Sequence, residues 1–397
     1  MKHPQVNGSS DPSRWLAVGQ SSDRDARSAG ELAAAQALIA DDARLLLVFC
    51  SHSYDLGELL AAINARSGGV PLIGCSTAGE IATDGPGDAG VVVTALGGPG
   101  FAATTASAAN ASADLRAAGA SVARSASGGD GHPHRVLVLL TDGLAGDQQE
   151  IVRGAYGVVG ASVPLVGGCA GDALEMRATY QLHGDRVLSN AVVGAALSSE
   201  APLGIGVRHG WGRVGEPVVV TRSAENRVYL LNDRPALDVY LERLDPPSDA
   251  RSDPAAFTRF ALTHPLGLSG RSGEDHVRFV GEANFEDGSL GFIAEVPQGG
   301  LAWFMEGDDG SVLAATGAAC DDALALLDGA PPLGLIAFDC IARRGVLGDA
   351  GISTEVRRVA QSAGGAPVAG FYTYGEIART HGQSGFHNQT LVVLAVS

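Results

Sequence analysis

VPLIGCSTAGEI (Val70–Ile81) and APVAGFYTYGEI (Ala366–Ile377) decide the fold. They align without a gap, so that Pro71, Gly74, Thr77, Gly79, Glu80 and Ile81 match Pro367, Gly370, Thr373, Gly375, Glu376 and Ile377. Identities this dense in otherwise different surroundings mark one structural unit that the chain reuses. Upstream of the first copy, RLLLVFC (Arg44–Cys50) reads as a buried strand and DLGELLAAINAR (Asp55–Arg66) as an amphipathic helix ended by Gly68 and Gly69. Downstream, GVVVTALGG (Gly90–Gly98) is a further strand.

The same order surrounds the other motif, with LGLIAFDCIARR (Leu333–Arg344), a helix around Ser353–Ala363 and NQTLVVLAVS (Asn388–Ser397). A middle copy runs through HRVLVLLTDG (His134–Gly143), a helix around Asp147–Val158, VPLVGGCAGDAL (Val163–Leu174) and NAVVGAALSS (Asn190–Ser199). A strand, a helix and a second strand form a crossover whose strands lie parallel. The expectation is therefore an α/β protein of duplicated strand-helix-strand-strand units in mixed parallel and antiparallel sheets. Each Gly motif falls at the C-terminal end of a strand, the edge where open α/β sheets collect ligands. Between the copies, Val214–Ser223 and Arg227–Leu231 read as strands, Pro235–Leu244 as a helix and His276–Asp308 as an antiparallel meander.

Composition removes several classes of function. Twenty-seven Lys and Arg against 44 Asp and Glu leave a net charge of −17, which repels nucleic acid and anionic lipid. Lys2 is the only lysine, so a Schiff-base or phosphate-loop lysine has no candidate in the core. The N-terminus lacks an apolar signal region and no apolar run reaches membrane-spanning length, so a soluble, cytoplasmic protein is expected. The cysteines Cys50, Cys75, Cys169, Cys320 and Cys340 stand singly, without the C-x-x-C spacing of a structural zinc or redox site, and no metal is expected.

The motifs IGCSTAGEI, GWGRVGEPVVVTRSAENRVYLLNDRPALDVYLERL (Gly210–Leu244), LIAFDCIARRGVLG (Leu335–Gly348) and GFYTYGEIA with FHNQTLVVLAV (Phe386–Val396) resemble, in order, the FIST family. The resemblance covers about Glu31 to Ser397. It implies a polar N-terminal tail over 1–30, a FIST N domain over 31–222 and a FIST C domain over 223–397. It further implies a non-enzymatic sensory protein of bacterial signal transduction that binds a small ligand such as an amino acid. The implied partner is a signalling protein, a histidine kinase or a cyclic-di-nucleotide enzyme. No cofactor is expected, with haem as the alternative, because a subgroup of stand-alone FIST proteins is described as binding haem and sensing nitric oxide.

Three residue sets are candidates for ligand binding. The first is Cys75, Ser76, Thr77 and Glu80 with Thr373, Tyr374 and Glu376, whose hydroxyls, Gly-exposed N–H groups and carboxylates suit a small polar ligand, or simply turn the chain. The second is Arg343 and Arg344, which read either as a fork for a ligand carboxylate or as structural ion pairs; Asp142, at the matching strand end of the middle copy, is the internal partner this second reading supplies. The third is His387, Asn388 and Gln389 before the last strand, with His387 the first choice for a haem ligand and His209 and His381 lesser ones. A cysteine-dependent enzyme is a further alternative, because Gly167–Gly171 places Cys169 in a glycine-flanked turn like a nucleophile elbow.

Overall fold

The computed structural model describes residues 13–126, 128, 131–269, 275–380 and 385–397. Helix accounts for 31% and strand for 40%, in mixed parallel and antiparallel sheets, which is the expected α/β class. Among the described residues there are three six-stranded sheets and one of eight strands.

Each six-stranded sheet is built on one copy of the repeat. In the first, Ala43–Ser51 and Leu72–Thr77 lie parallel and are joined by helix Leu56–Ser67. That helix starts where the Asp55 side chain accepts the Glu58 N–H, ends at Gly68 in the left-handed conformation, and buries Leu59, Leu60 and Ile63. The parallel pairs of the other copies are His134–Asp142 with Leu165–Ala170, and Gly334–Cys340 with Val368–Thr373. Gly74, Gly167 and Gly370 hold the same place in all three. A Cβ there would come within 2.4, 1.9 and 2.0 Å of the carbonyl oxygens of Val48, Leu139 and Ala337.

The structure extends every copy by a leading strand and helix. Trp15–Ser21, Phe101–Ala109 and Leu203–Arg208 pair antiparallel with the closing strands Val91–Gly97, Ala191–Ser199 and Leu391–Val396. Their helices are Ala26–Ala37, Leu115–Ala123 and Asp309–Ala325. Residues 15–30, expected as tail, therefore open the first unit. The glycine Gly19 inside a short strand and an alanine-rich helix gave that segment too weak an apolar period to stand out.

Each unit also gives its neighbour a hairpin. Glu80–Gly87 of the first adds to the sheet of the third at Ala369–Phe371, Tyr180–Ser189 of the second to the sheet of the first at Ile73–Cys75, and Glu376–His387 of the third to the sheet of the second at Leu165–Gly168. The exchange is cyclic, so the three units interlock around one core. Phe49, Phe338 and Phe371 meet there, with ring centroids 4.7 to 6.3 Å apart.

The third unit is interrupted between its leading strand and helix by residues 212–306. These form the eight-stranded antiparallel sheet with helices Ala236–Leu244 and Pro254–Ala261, around a core of Val218, Tyr240, Phe257 and Phe304. The expected hairpin, helix and meander are all in this insert. A domain cut after residue 222 falls inside its strand Gly212–Ala224. No helix among the described residues is long and apolar enough to cross a membrane.

Candidate functional site

The two Gly-Glu motifs build the same device. Gly79, at φ +124°, and Gly375, at φ +158°, turn the chain out of the third strand and into the exchanged hairpin. The following glutamate swings back beneath the turn. The Thr77 hydroxyl donates to Glu80 Oε1 at 2.6 Å and the Gly90 N–H to Oε2 at 2.9 Å. In the third unit the Thr373 hydroxyl donates to Glu376 Oε1, and the Thr390 N–H to Oε2 at 3.1 Å. Each glutamate so ties the turn to the residue that enters the closing strand. Burial pushes the Glu80 carboxyl up to about 7 and the Glu376 carboxyl up to about 8, against the hydrogen bonds that favour their ionised forms.

In the second unit the carboxylate comes from elsewhere. Asp142 takes the Thr179 hydroxyl and the Asn190 N–H, both at 2.8 Å, and Asn190 precedes that unit's closing strand as Gly90 and Thr390 precede theirs. The bonds to Asp142 are hydroxyl and backbone ones rather than the arginine expected for it.

Glu80 and Asp142 each border a pocket. Only 2% exposed, Glu80 lines a pocket of about 490 Å³ with Gln20, Ser21, Arg24, Asp84 and Asp88. Gly87 and Gly90 keep this approach clear, because a Cβ on either would stand 3.4 Å from Glu80 Oε2. Among the described residues no cation pairs with Glu80. Asp84, Asp88 and Arg24 lay outside the expected set; the signal for the two aspartates was the acidic, glycine-rich turn TDGPGDAG that follows the motif.

The other members of the first set face inward. Ser76 donates to Gly171 O at 2.8 Å and accepts the Tyr180 N–H, and Cys75 is sealed in the core with its thiol pushed up by burial. Tyr374 donates to Asp172 Oδ1 and accepts the Leu174 N–H at 2.7 Å, which fastens the linker of the second unit to the third.

Both arginines are structural. Arg343 has no exposed surface; its Nε donates to Asp339 at 2.8 Å, Nη2 to Glu355 at 2.5 Å and Nη1 to His209 O at 2.8 Å. Burial opposes its charge, but Glu355 and Asp339 together hold its pKa above the ordinary value. Arg344 pairs with Asp88, donates to Ala78 O at 3.3 Å and lies over the Tyr372 ring.

His387 is buried, with Nε2 3.0 Å from Ala378 O, and burial pulls its pKa down to about 3. His276 lies beside it at 5.8 Å between ring centroids. A haem ligand needs a ring nitrogen directed at the metal across an apolar slot. With Nε2 spent on a carbonyl and the ring enclosed, His387 does not fit haem as it stands. Asn388 is fully buried, and among the described residues neither its side-chain oxygen nor its nitrogen has a partner. The Gln389 side chain donates to Leu262 O at 2.5 Å, while its backbone carbonyl accepts the Trp211 indole N–H. His209 accepts the Trp211 N–H and is held neutral by burial, with its pKa near 4. His381 lies outside the described residues. Cys169 is sealed, 3.2 Å from the Thr141 hydroxyl, and burial raises its thiol pKa, the reverse of an activated nucleophile. Among the described residues no group of three or more His, Cys, Asp or Glu is arranged to hold a metal ion.

Comparison with known families accounts for this architecture. A FIST N domain matches residues 44–234 and a FIST C domain residues 236–379. The chain belongs to the FIST family. FIST domains are sensory domains of signal-transduction proteins. The FIST N match begins after the first unit's leading strand and helix and runs through the second unit and the third unit's leading strand into the insert, while the FIST C match joins the rest of the insert to most of the remaining third unit. A comparison with curated proteins finds no significant match.

Proposed function

We propose that this FIST protein is a sensor that takes a small ammonium-bearing ligand, an amino acid or amine, in the Glu80 pocket and reports its occupancy to a signalling partner. The observation that carries the reading is Glu80 itself. It is a buried carboxylate with no cation paired to it among the described residues, backed by hydrogen bonds to both oxygens, and open to a pocket of about 490 Å³. An ammonium group supplies the missing charge, and Asp84 and Asp88 add to its attraction. Arg24, on the same wall, suits the carboxylate of an amino acid.

The test is a thermal-shift screen with amino acids and small amines. A ligand at 100 times its Kd stabilises the fold by about 2.7 kcal/mol. Glu80→Gln removes that response. Because Glu80 titrates near 7 and binds the cation ionised, affinity in the wild type weakens as pH falls below that value. A ligand whose stabilisation is undiminished by Glu80→Gln overturns the assignment.

A further inference from the structure

Beyond the hairpin Glu80–Gly87, which pairs with the third unit's sheet, the wall of the Glu80 pocket meets that unit through one charged side chain. Asp88 lines the pocket, its side chain 73% exposed, and is ion-paired to Arg344 of the third unit. The same guanidinium donates to Ala78 O, in the turn that carries Glu80, and rests on the Tyr372 ring. Gly79 makes room for it, since a Cβ there would come within 2.3 Å of Arg344 Nη1. Arg344 thus sits between two acidic members of the pocket and the helix that bears it.

That helical stretch is short and doubly anchored. Ile341–Leu347 is separated from the rest of the helix by Gly348, whose φ of 61° and ψ of −179° break the helical path. Its first turn carries Arg343, buried between Asp339 and Glu355, and Arg344, clasping the pocket wall. Arg343 therefore fixes that turn in the core, while Arg344 beside it reaches the pocket wall through an ion pair that is partly exposed to water.

We infer that Asp88 and Arg344 form a latch that an entering ammonium ligand competes for, so that occupancy of the pocket releases residues 341–347. The inference rests on the proposed ligand class. A cation drawn to Glu80 also meets Asp88, because the two carboxylates lie within electrostatic reach of each other. Once Asp88 turns to the ligand, Arg344 keeps only its carbonyl and the Tyr372 face. The stretch before Gly348 is then tied to the first unit only through the Ala78 carbonyl, and the third unit carries the change outward.

Ethylammonium chloride is a sufficient probe, with sodium chloride at equal ionic strength as the control. Affinity is read by calorimetry, and hydrogen exchange of 341–347 by mass spectrometry. In the wild type, ethylammonium binds and speeds exchange in 341–347. Arg344→Gln leaves Asp88 free and tightens binding roughly two- to fivefold, the range of a partly exposed ion pair. Asp88→Asn, in an exposed loop, speeds exchange in 341–347 without any probe. Wild-type binding with unaltered affinity in Arg344→Gln, and no faster exchange in Asp88→Asn, overturns the latch and leaves the pocket standing. Identical responses in the wild type and Glu80→Gln overturn the pocket assignment itself.

Discussion

Thr77 stands three residues before Glu80 and donates its hydroxyl to Oε1 at 2.6 Å, the same bond that Thr373 gives Glu376. The repeated Thr-x-Gly-Glu sequence is therefore a structural clasp in both units. Its chemistry sets a pH window. Each glutamate has a folded-state pKa above the ordinary value of 4.5, so the folded chain binds more protons than the unfolded one. The stability that these neutral carboxyls lend is fully present below about 4.5 and is lost as pH rises through about 7 for Glu80 and about 8 for Glu376. The midpoint of thermal unfolding should fall between pH 5 and 8.5, and Glu376→Gln should flatten the upper part of that fall.

The third-strand glycines make a sharper stability prediction. In Gly370→Ala the new Cβ meets the Ala337 carbonyl at 2.0 Å, and backbone on both sides of the contact has nowhere to move. Overpacking of this kind costs about 3 kcal/mol. Denaturant unfolding of the variant should show that loss, whereas Gly364→Ala, at a helix end with nothing within 4 Å, should lose less.

How far the sequence could be read follows from these elements. The Pro-x-x-Gly strands and their parallel partners were legible because a continuous apolar run, a capped helix and a glycine recur in order. The hairpin exchange was not legible, since short strands such as Glu80–Ala82 carry no sign of which sheet they join. At the site, Glu80 was among the expected residues, and so were the arginines. What separates them is depth: Glu80 borders open space, while Arg343 is spent between two carboxylates. Nothing in the spacing of CIARRG reveals that Asp339 and Glu355 converge on it.

That convergence yields the next prediction. Two buried carboxyls, Asp339 and Glu355, share Arg343. Burial, followed by the charge of Glu355, raises the Asp339 pKa well above the ordinary value. Arg343→Met strands two buried carboxyls without their cation and should cost about 3–5 kcal/mol in denaturant unfolding. Asp339→Asn keeps the shape of the side chain and an oxygen for Arg343 and should change stability by less.

Tyr374 fixes the most strained stretch of the chain. Ala173, Leu174 and Met176 have φ values of 54°, 67° and 54°, which L-residues adopt at a cost of about 1–2 kcal/mol each. Leu174 and Met176 are also 59% and 60% exposed, so apolar burial does not offset that cost. Hydrogen bonds do. Asp172 accepts the N–H groups of Met176, Arg177 and Ala178, and the Tyr374 hydroxyl accepts those of Asp172 and Leu174 while donating to the Asp172 carboxylate. Tyr374→Phe removes the hydroxyl and leaves two N–H groups and one carboxylate oxygen short of a partner. Global stability should drop by about 1–3 kcal/mol. The local effect should be larger in kind, because the strain is then opposed only by the bonds to Asp172 and the Ala173 N–H bond to Thr77 O. Limited proteolysis should cut the variant between residues 173 and 178 faster than the wild type, while Tyr180→Phe, which leaves all these bonds in place, should be cut at the wild-type rate.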